Sequence, residues 1–112
     1  MTLRLAVTPG EPAGIGSDLL LQVIQTGSPH ELVAIADPQM LQERARQLGL
    51  DLTLRPLENS PRPLAPGELA IAPCPLPVTV KPGQVDKQNA PAIIQSLDLA
   101  IAGCLDKTYS AL

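Results

Sequence analysis

The opening of the chain constrains its fold most, because a short apolar run leads straight into a glycine-rich turn. Residues 3–7 (LRLAV) predict a strand, and the turn TPGEPAGIG follows at residues 8–16. Ser17 then predicts the N-cap of a helix. The apolar face of that helix would carry Leu19, Leu20, Val23 and Ile24. A strand that enters a helix through such a turn is typical of α/β proteins.

The same alternation of strand and helix signals continues along the chain. Residues 32–36 (LVAIA) form an unbroken apolar run, which is typical of a parallel strand covered on both faces. Asp37, with the proline after it, predicts the start of a second helix, and Gly49 predicts its end. Shorter apolar runs at residues 52–54 and 69–72 predict two more strands. The sequence therefore predicts an α/β fold with a parallel sheet and right-handed crossovers.

Proline is unusually frequent, at 13 of 112 residues. Four prolines lie within residues 56–66, which predicts an exposed loop. Residues 73–82 are also rich in proline. Because proline cannot donate to a β-ladder, we expect residues 73–82 to lie at a sheet edge or to leave the sheet.

A last helix is predicted from Asn89 as N-cap, with Pro91 in the first turn. Its broad apolar stripe would comprise Ile93, Ile94, Leu97, Ala100, Ile101, Cys104 and Leu105. Such a stripe has to be covered, and residues 110–112 resemble the start of another buried strand. We therefore expect the chain to be part of a longer protein, with incomplete burial along this helix.

Composition excludes several classes of function. A net charge of −3 and a single aromatic residue argue against binding of duplex or single-stranded nucleic acid. No apolar run approaches the length of a membrane span, and the first residues do not resemble a secretory signal. Cys74 and Cys104 have no motif spacing, which predicts reduced thiols in the cytoplasm. The single histidine, His30, excludes a histidine-rich metal site and is predicted to be a solvated surface residue.

The glycine-rich turn is the strongest candidate site, because a helix N-terminus with free N–H groups can bind an anion. Its pattern, G-x-x-x-G-x-G, differs from the dinucleotide fingerprint G-x-G-x-x-G and lacks the ending of a P-loop. A tight turn without any ligand is the alternative. Asp37 follows Gly16 at about the 20-residue spacing of a ribose-binding acid, but capping a helix is a sufficient role for it.

The remaining polar residues do not form a catalytic constellation. Cys74 has no cationic neighbour that would lower its pKa and activate it as a nucleophile. Asp86 and Asp98 are interpreted as solvent-facing rather than as a catalytic pair. The lysines are interpreted as scattered, solvated charges; they are Lys81, Lys87 and Lys107. The sequence therefore assigns no catalytic residue and no metal ligand within this chain.

Three segments resemble the 4-hydroxythreonine-4-phosphate dehydrogenase family of vitamin B6 synthesis. They are LRLAVTPGEPAGIG at residues 3–16, ELVAIAD at residues 31–37 and LGL at residues 48–50. The last helix, with AGCL at residues 102–105, is also similar, so the resemblance covers essentially the whole chain. GIGSD at residues 14–18 is further similar to the GIGPE stretch of isocitrate and isopropylmalate dehydrogenases, with serine and aspartate replacing proline and glutamate.

The resemblance implies a fold like that of isocitrate and isopropylmalate dehydrogenases. Residues 1–112 would be the N-terminal α/β portion of a three-layer α/β/α domain in a two-domain, homodimeric, cytoplasmic enzyme. That enzyme would oxidise 4-hydroxy-L-threonine 4-phosphate with NAD or NADP, and the product would lose CO2. A histidine-held divalent metal and the contacts to the phosphorylated substrate would lie beyond Leu112, so this chain alone would be inactive.

Within this chain, the resemblance nominates Gly14, Ile15 and Gly16 as cofactor-lining positions, because glycine lets a ligand approach the backbone closely. Glu11 would instead organise the turn. Two alternatives stay open. One is a related dehydrogenase acting on another four-carbon acid phosphate, such as threonate 4-phosphate. The other is a non-catalytic module that binds a phosphate or a nucleotide.

Overall fold

Four parallel strands form one sheet in a computed structural model that describes all 112 residues. The strands are β1 (Arg4–Val7), β2 (Glu31–Ala36), β3 (Thr53–Pro56) and β4 (Glu68–Pro73). Their order across the sheet is β1-β2-β4-β3, and each neighbouring pair is parallel. The predicted strands and the predicted parallel sheet are therefore confirmed.

Three α-helices complete the fold: α1 (Gly16–Val23), α2 (Pro38–Leu48) and α3 (Ala90–Leu105). Short 3₁₀ turns extend α1 at Ile24–Thr26 and precede α3 at Lys87–Asn89. None of these helices has the length and hydropathy that a membrane crossing requires.

The helices cover both faces of the sheet. On one face α1 and α2 bury Leu20, Ile24 and Leu41 against strand residues that include Ala34 and Leu69. On the other face α3 contributes Ala100, which packs in a second core cluster together with Val33, Ile35, Ala70 and Tyr109. This layering is that of an α/β protein whose ligand sites lie at the carboxyl ends of the strands.

The predicted buried face of α1 is half wrong. Leu20 and Ile24 are buried as expected, but Leu21 is buried too, whereas Leu19 and Val23 are exposed. Five of the six residues from 19 to 24 are apolar and cover more than one side of the helix. Spacing alone therefore did not determine which side meets the sheet.

The predicted apolar stripe of α3 is also turned relative to the sheet. The helix packs through its small residues, Ala92, Ser96, Ala100 and Gly103, which allow close approach to the strands. The larger residues face outward, so the expected incomplete burial is confirmed. The exposed members are Ile94, Leu97, Ile101 and Leu105.

The proline-rich segment at residues 57–67 is the crossover that parallel neighbours β3 and β4 require. It is mostly exposed, as predicted, but Leu64 is buried. Leu64 also exchanges two backbone hydrogen bonds with Ser28, of 3.0 and 2.9 Å. The loop is therefore fixed at its middle as well as at its ends.

Two segments at the margins of the sheet were also predicted from the sequence: residues 73–82 after β4, and residues 110–112. Residues 74–82 leave the sheet, as predicted. Pro73 is still part of the sheet and pairs with Ala36. The sheet tolerates this proline because it is the last residue of β4. At the free edge of β1, the Ala6 N–H donates to the Ala111 carbonyl at 2.9 Å. The buried strand start predicted at residues 110–112 is therefore borne out only in part: Ala111 forms one parallel bridge to β1, but residues 110–112 are exposed.

Candidate functional site

The carboxyl ends of three strands converge at one edge of the sheet. The glycine-rich turn at residues 8–16 follows β1, Asp37 follows β2, and Cys74 follows β4. Between them lies a cavity of about 20 Å³, lined by residues that include Gly10, Asp37 and Cys74. A cavity of this size holds about one water molecule, so it is not a substrate site by itself.

The turn is held in shape by Glu11. Its carboxylate accepts a hydrogen bond from the Ala13 N–H at 3.1 Å, and its carbonyl accepts one from the Gly14 N–H at 3.0 Å. The role predicted for Glu11, organising the turn, is confirmed. Two hydrogen bonds within residues 11–14 thus shape the turn.

The three predicted cofactor positions have different surroundings. Gly14 lines an open cleft beside the turn. Ile15 is 72 % exposed, although it is a large apolar residue at the start of α1. A Cβ atom on Gly16 would overlap the Pro9 carbonyl oxygen and lie 3.1 Å from the Pro9 carbonyl carbon. Gly16 therefore has a reason within the chain for lacking a side chain, whereas Gly14 and Ile15 are exposed to solvent.

The predicted capping role of Ser17 is wrong. The helix begins one residue earlier, with Ile15 at the N-cap position, and Ser17 is fully buried inside α1. Its hydroxyl donates to the sulfur of Met40 at 3.7 Å, which joins α1 to α2. Because the helix begins at Gly16, Ser17 lies in the interface between the helices.

Asp18 links the same two helices by a bidentate ion pair. Its carboxylate oxygens accept from the Arg44 Nε at 2.7 Å and from a terminal nitrogen of Arg44 at 2.8 Å. The hydrogen bond from Arg44 lowers the pKa of Asp18 and outweighs the opposing effect of burial. Most of the charge of Arg44 is therefore already matched by a carboxylate.

Asp37 uses both of its carboxylate oxygens. Oδ1 accepts from the N–H groups of Gln39 at 2.8 Å and Met40 at 3.2 Å, which confirms the predicted cap of α2. Gly49 ends the same helix with φ of 68°, also as predicted. Oδ2 accepts from the Leu76 N–H at 2.8 Å. This last bond joins β2 to the segment after β4, and it leaves no oxygen of Asp37 without a partner.

A larger cleft of about 660 Å³ opens beside the turn. One wall is the turn, a second is the polar face of α2, and the third is the segment after β4. Its two arginines are paired with carboxylates, because Arg44 binds Asp18 and Arg46 binds Glu43 at 2.8 Å. The volume is within the 300–1,000 Å³ typical of small-molecule and cofactor sites.

The weaker candidates remain without a catalytic arrangement. His30 is half-buried rather than fully solvated, and its Nδ1 accepts from the Leu3 N–H at 3.1 Å, which corrects the prediction of a solvated histidine. Cys74 is buried, and burial together with the negative charge of Asp37 raises the pKa of its thiol. Both cysteines are free. No group of three or more His, Cys, Asp or Glu side chains is placed to hold a metal ion.

The sequence interpretation missed a buried cluster of charges at the opposite, amino-terminal edge of the sheet. Glu31 accepts from Arg4 at 2.5 Å and from Arg55 at 2.7 Å, and Arg55 also binds Glu68 at 2.7 Å. Burial opposes ionisation of Glu31, but hydrogen bonds from Arg4, the Arg62 N–H and Arg55 together lower its pKa. The only signal in the sequence for this cluster was a glutamate directly before two of the apolar runs, Glu31 before residues 32–36 and Glu68 before residues 69–72.

The charge cluster also fixes the proline-rich crossover. Arg4 donates to the Glu58 carbonyl at 2.6 Å, and Arg55 donates to the carbonyls of Arg62 at 2.5 Å and Pro63 at 3.2 Å. These bonds satisfy backbone acceptors that a loop without regular structure would otherwise leave to water. The cluster is structural, because it lies at the end of the sheet away from the cleft.

Comparison with known proteins addresses the resemblance directly. No protein-family model matches the chain. A protein from Pseudomonas aeruginosa named 4-hydroxythreonine-4-phosphate dehydrogenase is 45 % identical over 115 residues, covering 100 % of this chain and 35 % of the relative. The chain is homologous to 4-hydroxythreonine-4-phosphate dehydrogenases. The resemblance of the opening residues is therefore confirmed.

Other 4-hydroxythreonine-4-phosphate dehydrogenases agree. One from Thioalkalivibrio sulfidiphilus is 45 % identical over 114 residues and is matched over 34 % of its length. The crystal structure of the dehydrogenase from Klebsiella pneumoniae superposes with a TM-score of 0.83 at 25 % identity, covering 97 % of this chain and 35 % of that one. The structure from Burkholderia phymatum, at 17 % identity and a TM-score of 0.82, supports the fold alone. The chain thus spans about a third of the length of these dehydrogenases.

Proposed function

We propose that this chain is the N-terminal α/β portion of a two-domain 4-hydroxythreonine-4-phosphate dehydrogenase with the fold of isocitrate and isopropylmalate dehydrogenases. The complete enzyme would be a cytoplasmic homodimer that oxidises 4-hydroxy-L-threonine 4-phosphate in vitamin B6 synthesis. The observation that carries this proposal is the 45 % identity to dehydrogenases of that name across the entire chain.

The cleft beside the glycine-rich turn is where we place the dinucleotide, NAD or NADP. Its volume suits a cofactor, and it lies at the carboxyl edge of a parallel sheet, where α/β proteins bind ligands. Gly14 presents bare backbone to the cleft. Ile15 does not line the cleft itself, but it follows Gly14 directly and is exposed, so it offers an apolar surface next to the cleft. Gly16 contributes by holding the turn against Pro9. These features fit a dinucleotide.

The reacting groups would come from outside these residues. When bound, the dinucleotide supplies a hydride acceptor, and a divalent metal would polarise the carbonyl formed on the substrate and favour loss of CO2. The chain has no cluster that fits a metal, so we assign its ligands, and the contacts to the substrate phosphate, to sequence beyond residue 112. The role of residues 1–112 is to build the sheet and one wall of the cofactor cleft.

A substrate panel tests this function. The full-length protein is incubated with NAD or NADP and either 4-hydroxy-L-threonine 4-phosphate or threonate 4-phosphate, and formation of reduced nicotinamide is followed by absorbance. We expect reduction with the hydroxythreonine phosphate and none from residues 1–112 alone. Faster reduction with threonate 4-phosphate would reassign the substrate, and activity from residues 1–112 alone would contradict the placement of the reacting groups.

A further inference from the structure

We propose that residues 74–83 form a strap that fixes one wall of the dinucleotide cleft, and that Asp37 and Asn89 are its positioning residues. The inference rests on the proposed function, because it concerns the same cleft. It assigns a task to two polar side chains that the reaction itself does not need.

The strap is an extended segment that has left the sheet but keeps its backbone donors bonded. The Cys74 N–H donates to the Ala36 carbonyl at 2.9 Å, as though β4 continued for one more residue. The Leu76 N–H then donates to Asp37 Oδ2 at 2.8 Å, and the Val78 N–H donates to Asn89 Oδ1 at 3.2 Å. Side-chain oxygens thus take over the role of a neighbouring strand.

Prolines alternate with these anchored residues. Positions 75 and 77 are both proline, so they have no N–H that would need a partner. Every backbone donor from Cys74 to Val78 is therefore bonded to the β2 end or to the start of α3. A segment of this kind is stiff and cannot be extended by another strand on its outer side. The alternation CPLPV is what allows the strap to cross the end of the sheet without partner strands.

The far end of the strap is tied to the glycine-rich turn. The Gly83 N–H donates to the Ala13 carbonyl at 2.9 Å, one residue before Gly14. Between its two ends the strap contributes Leu76, Val78 and Val80 to the cleft wall, opposite α2. The turn and the strap are consequently two walls of one cleft, and a displacement of the strap changes the width of that cleft.

Asn89 is the more informative anchor. It is 2 % exposed and does not line the cleft. It occupies the N-cap position of α3, but its side chain caps nothing in that helix and is used for Val78 instead. The sequence prediction of a capping asparagine is therefore wrong about what its oxygen binds. Because Asn89 binds Val78 and does not reach the cleft, it can influence a bound ligand only by positioning the cleft wall.

The test compares variants of the full-length protein in two measurements: hydrogen exchange of the strap amides, and the dissociation constant for NAD and NADP by calorimetry. Asn89→Ala removes the acceptor for Val78, and Asn89→Asp keeps an oxygen there. Asp37→Asn keeps an oxygen for the cap of α2 but places an amide NH2 towards Leu76. Asp86→Asn is the matched control, because the Asp86 side chain accepts only from the Gln88 N–H and does not contact the strap.

Loss of one hydrogen bond corresponds to about a threefold to tenfold effect, so we expect that increase in the Val78 exchange rate and in the dissociation constant for Asn89→Ala. Asp37→Asn should do the same at Leu76 while the Gln39 and Met40 amides stay protected. In Asn89→Asp, the exchange rate and the dissociation constant should return towards the wild-type values. In Asp86→Asn, both should equal the wild-type values. Circular dichroism establishes that each variant is folded.

Two results would overturn the inference, and they are distinguishable. If the wild type binds the dinucleotide and Asn89→Ala binds it equally well, the strap does not set the cleft while the proposed function stands. If the wild-type full-length protein binds neither NAD nor NADP, both the proposed function and the strap's role in it are wrong. Unchanged exchange at Val78 in Asn89→Ala would likewise refute the anchor.

Discussion

Gly16 and Gly14 lie two residues apart in the same turn, yet the structure predicts opposite consequences for placing an alanine at each. At Gly16 the added methyl group would overlap the Pro9 carbonyl oxygen and lie 3.1 and 3.6 Å from the Pro9 carbonyl carbon and Cα. These are backbone atoms, so no side chain can swing away and the turn itself has to move. At Gly14 the methyl group would lie 3.2 Å from the Glu11 carbonyl oxygen, and small shifts relieve that contact.

The expected magnitudes follow from these distances. Overpacking costs about 1–3 kcal/mol, and a clash with backbone belongs at the upper end of that range. Alanine recovers up to about 1 kcal/mol of helix propensity, because Gly16 is the first residue of α1. Gly16→Ala should therefore lower the free energy of unfolding by about 2 kcal/mol, which corresponds to about 8–16 °C in Tm for a domain of this size. Gly14→Ala should cost less than about 1 kcal/mol.

Urea unfolding followed by circular dichroism measures both variants against wild type. The reasoning about Gly16 would be refuted if Gly16→Ala cost no more than Gly14→Ala, or less than about 0.5 kcal/mol, a change that ordinary surface substitutions produce. In that case the glycine would be needed for a ligand alone. If both variants were equally and strongly destabilised, the shape of the turn around Glu11 would have to be revised.

Three further predictions concern other parts of the chain. Glu31→Gln leaves the buried Arg4 without a carboxylate and Arg55 with Glu68 alone, and should cost about 3–5 kcal/mol in urea unfolding. Because the pKa of Glu31 is lowered in the fold, its stabilisation is present at neutral pH and should be lost only as the pH falls through that lowered value. If the free energy of unfolding fell by the same amount on acidification in Glu31→Gln and in wild type, this prediction would be contradicted. The exposed apolar face of α3 should make residues 1–112 self-associate. The double variant Leu97→Gln, Ile101→Gln should therefore sediment more nearly as a monomer. Equal self-association of the wild type and the double variant would disprove this role of α3. A thiol reagent should label Cys104 well before Cys74, since burial raises the pKa of Cys74; equal labelling rates in the folded protein would be inconsistent with the structure.

Local signals were sufficient where the interaction itself is local. The cap of α2 depends on Asp37 and the residues immediately after it, and its end depends on a glycine at position 49, so both were predicted correctly. The order of short apolar runs likewise predicted four strands. The turn around Glu11 was identified because its hydrogen bonds stay within three residues.

Interactions between distant residues were not predictable in the same way. The second oxygen of Asp37 binds Leu76, and Asn89 binds Val78 across the start of α3. Neither partner is marked by any pattern in the sequence. The pairing of Glu31 with Arg4 and Arg55 likewise depends on strand order, which the sequence leaves open. The orientation of α3 was missed because its small residues, rather than its large ones, meet the sheet.

Ile15 provides the most direct test of where the cofactor binds. It is 72 % exposed and directly follows Gly14, which lines the cleft, so Ile15→Gln should leave the free energy of unfolding unchanged. The same is expected of the control Val85→Gln, at a residue that is 71 % exposed and lies outside the glycine-rich turn. In the full-length protein, the KM for the dinucleotide should rise about tenfold in Ile15→Gln, the effect of losing a buried apolar contact, and stay at the wild-type value in Val85→Gln. An unchanged KM in Ile15→Gln would contradict the placement of the dinucleotide beside the glycine-rich turn.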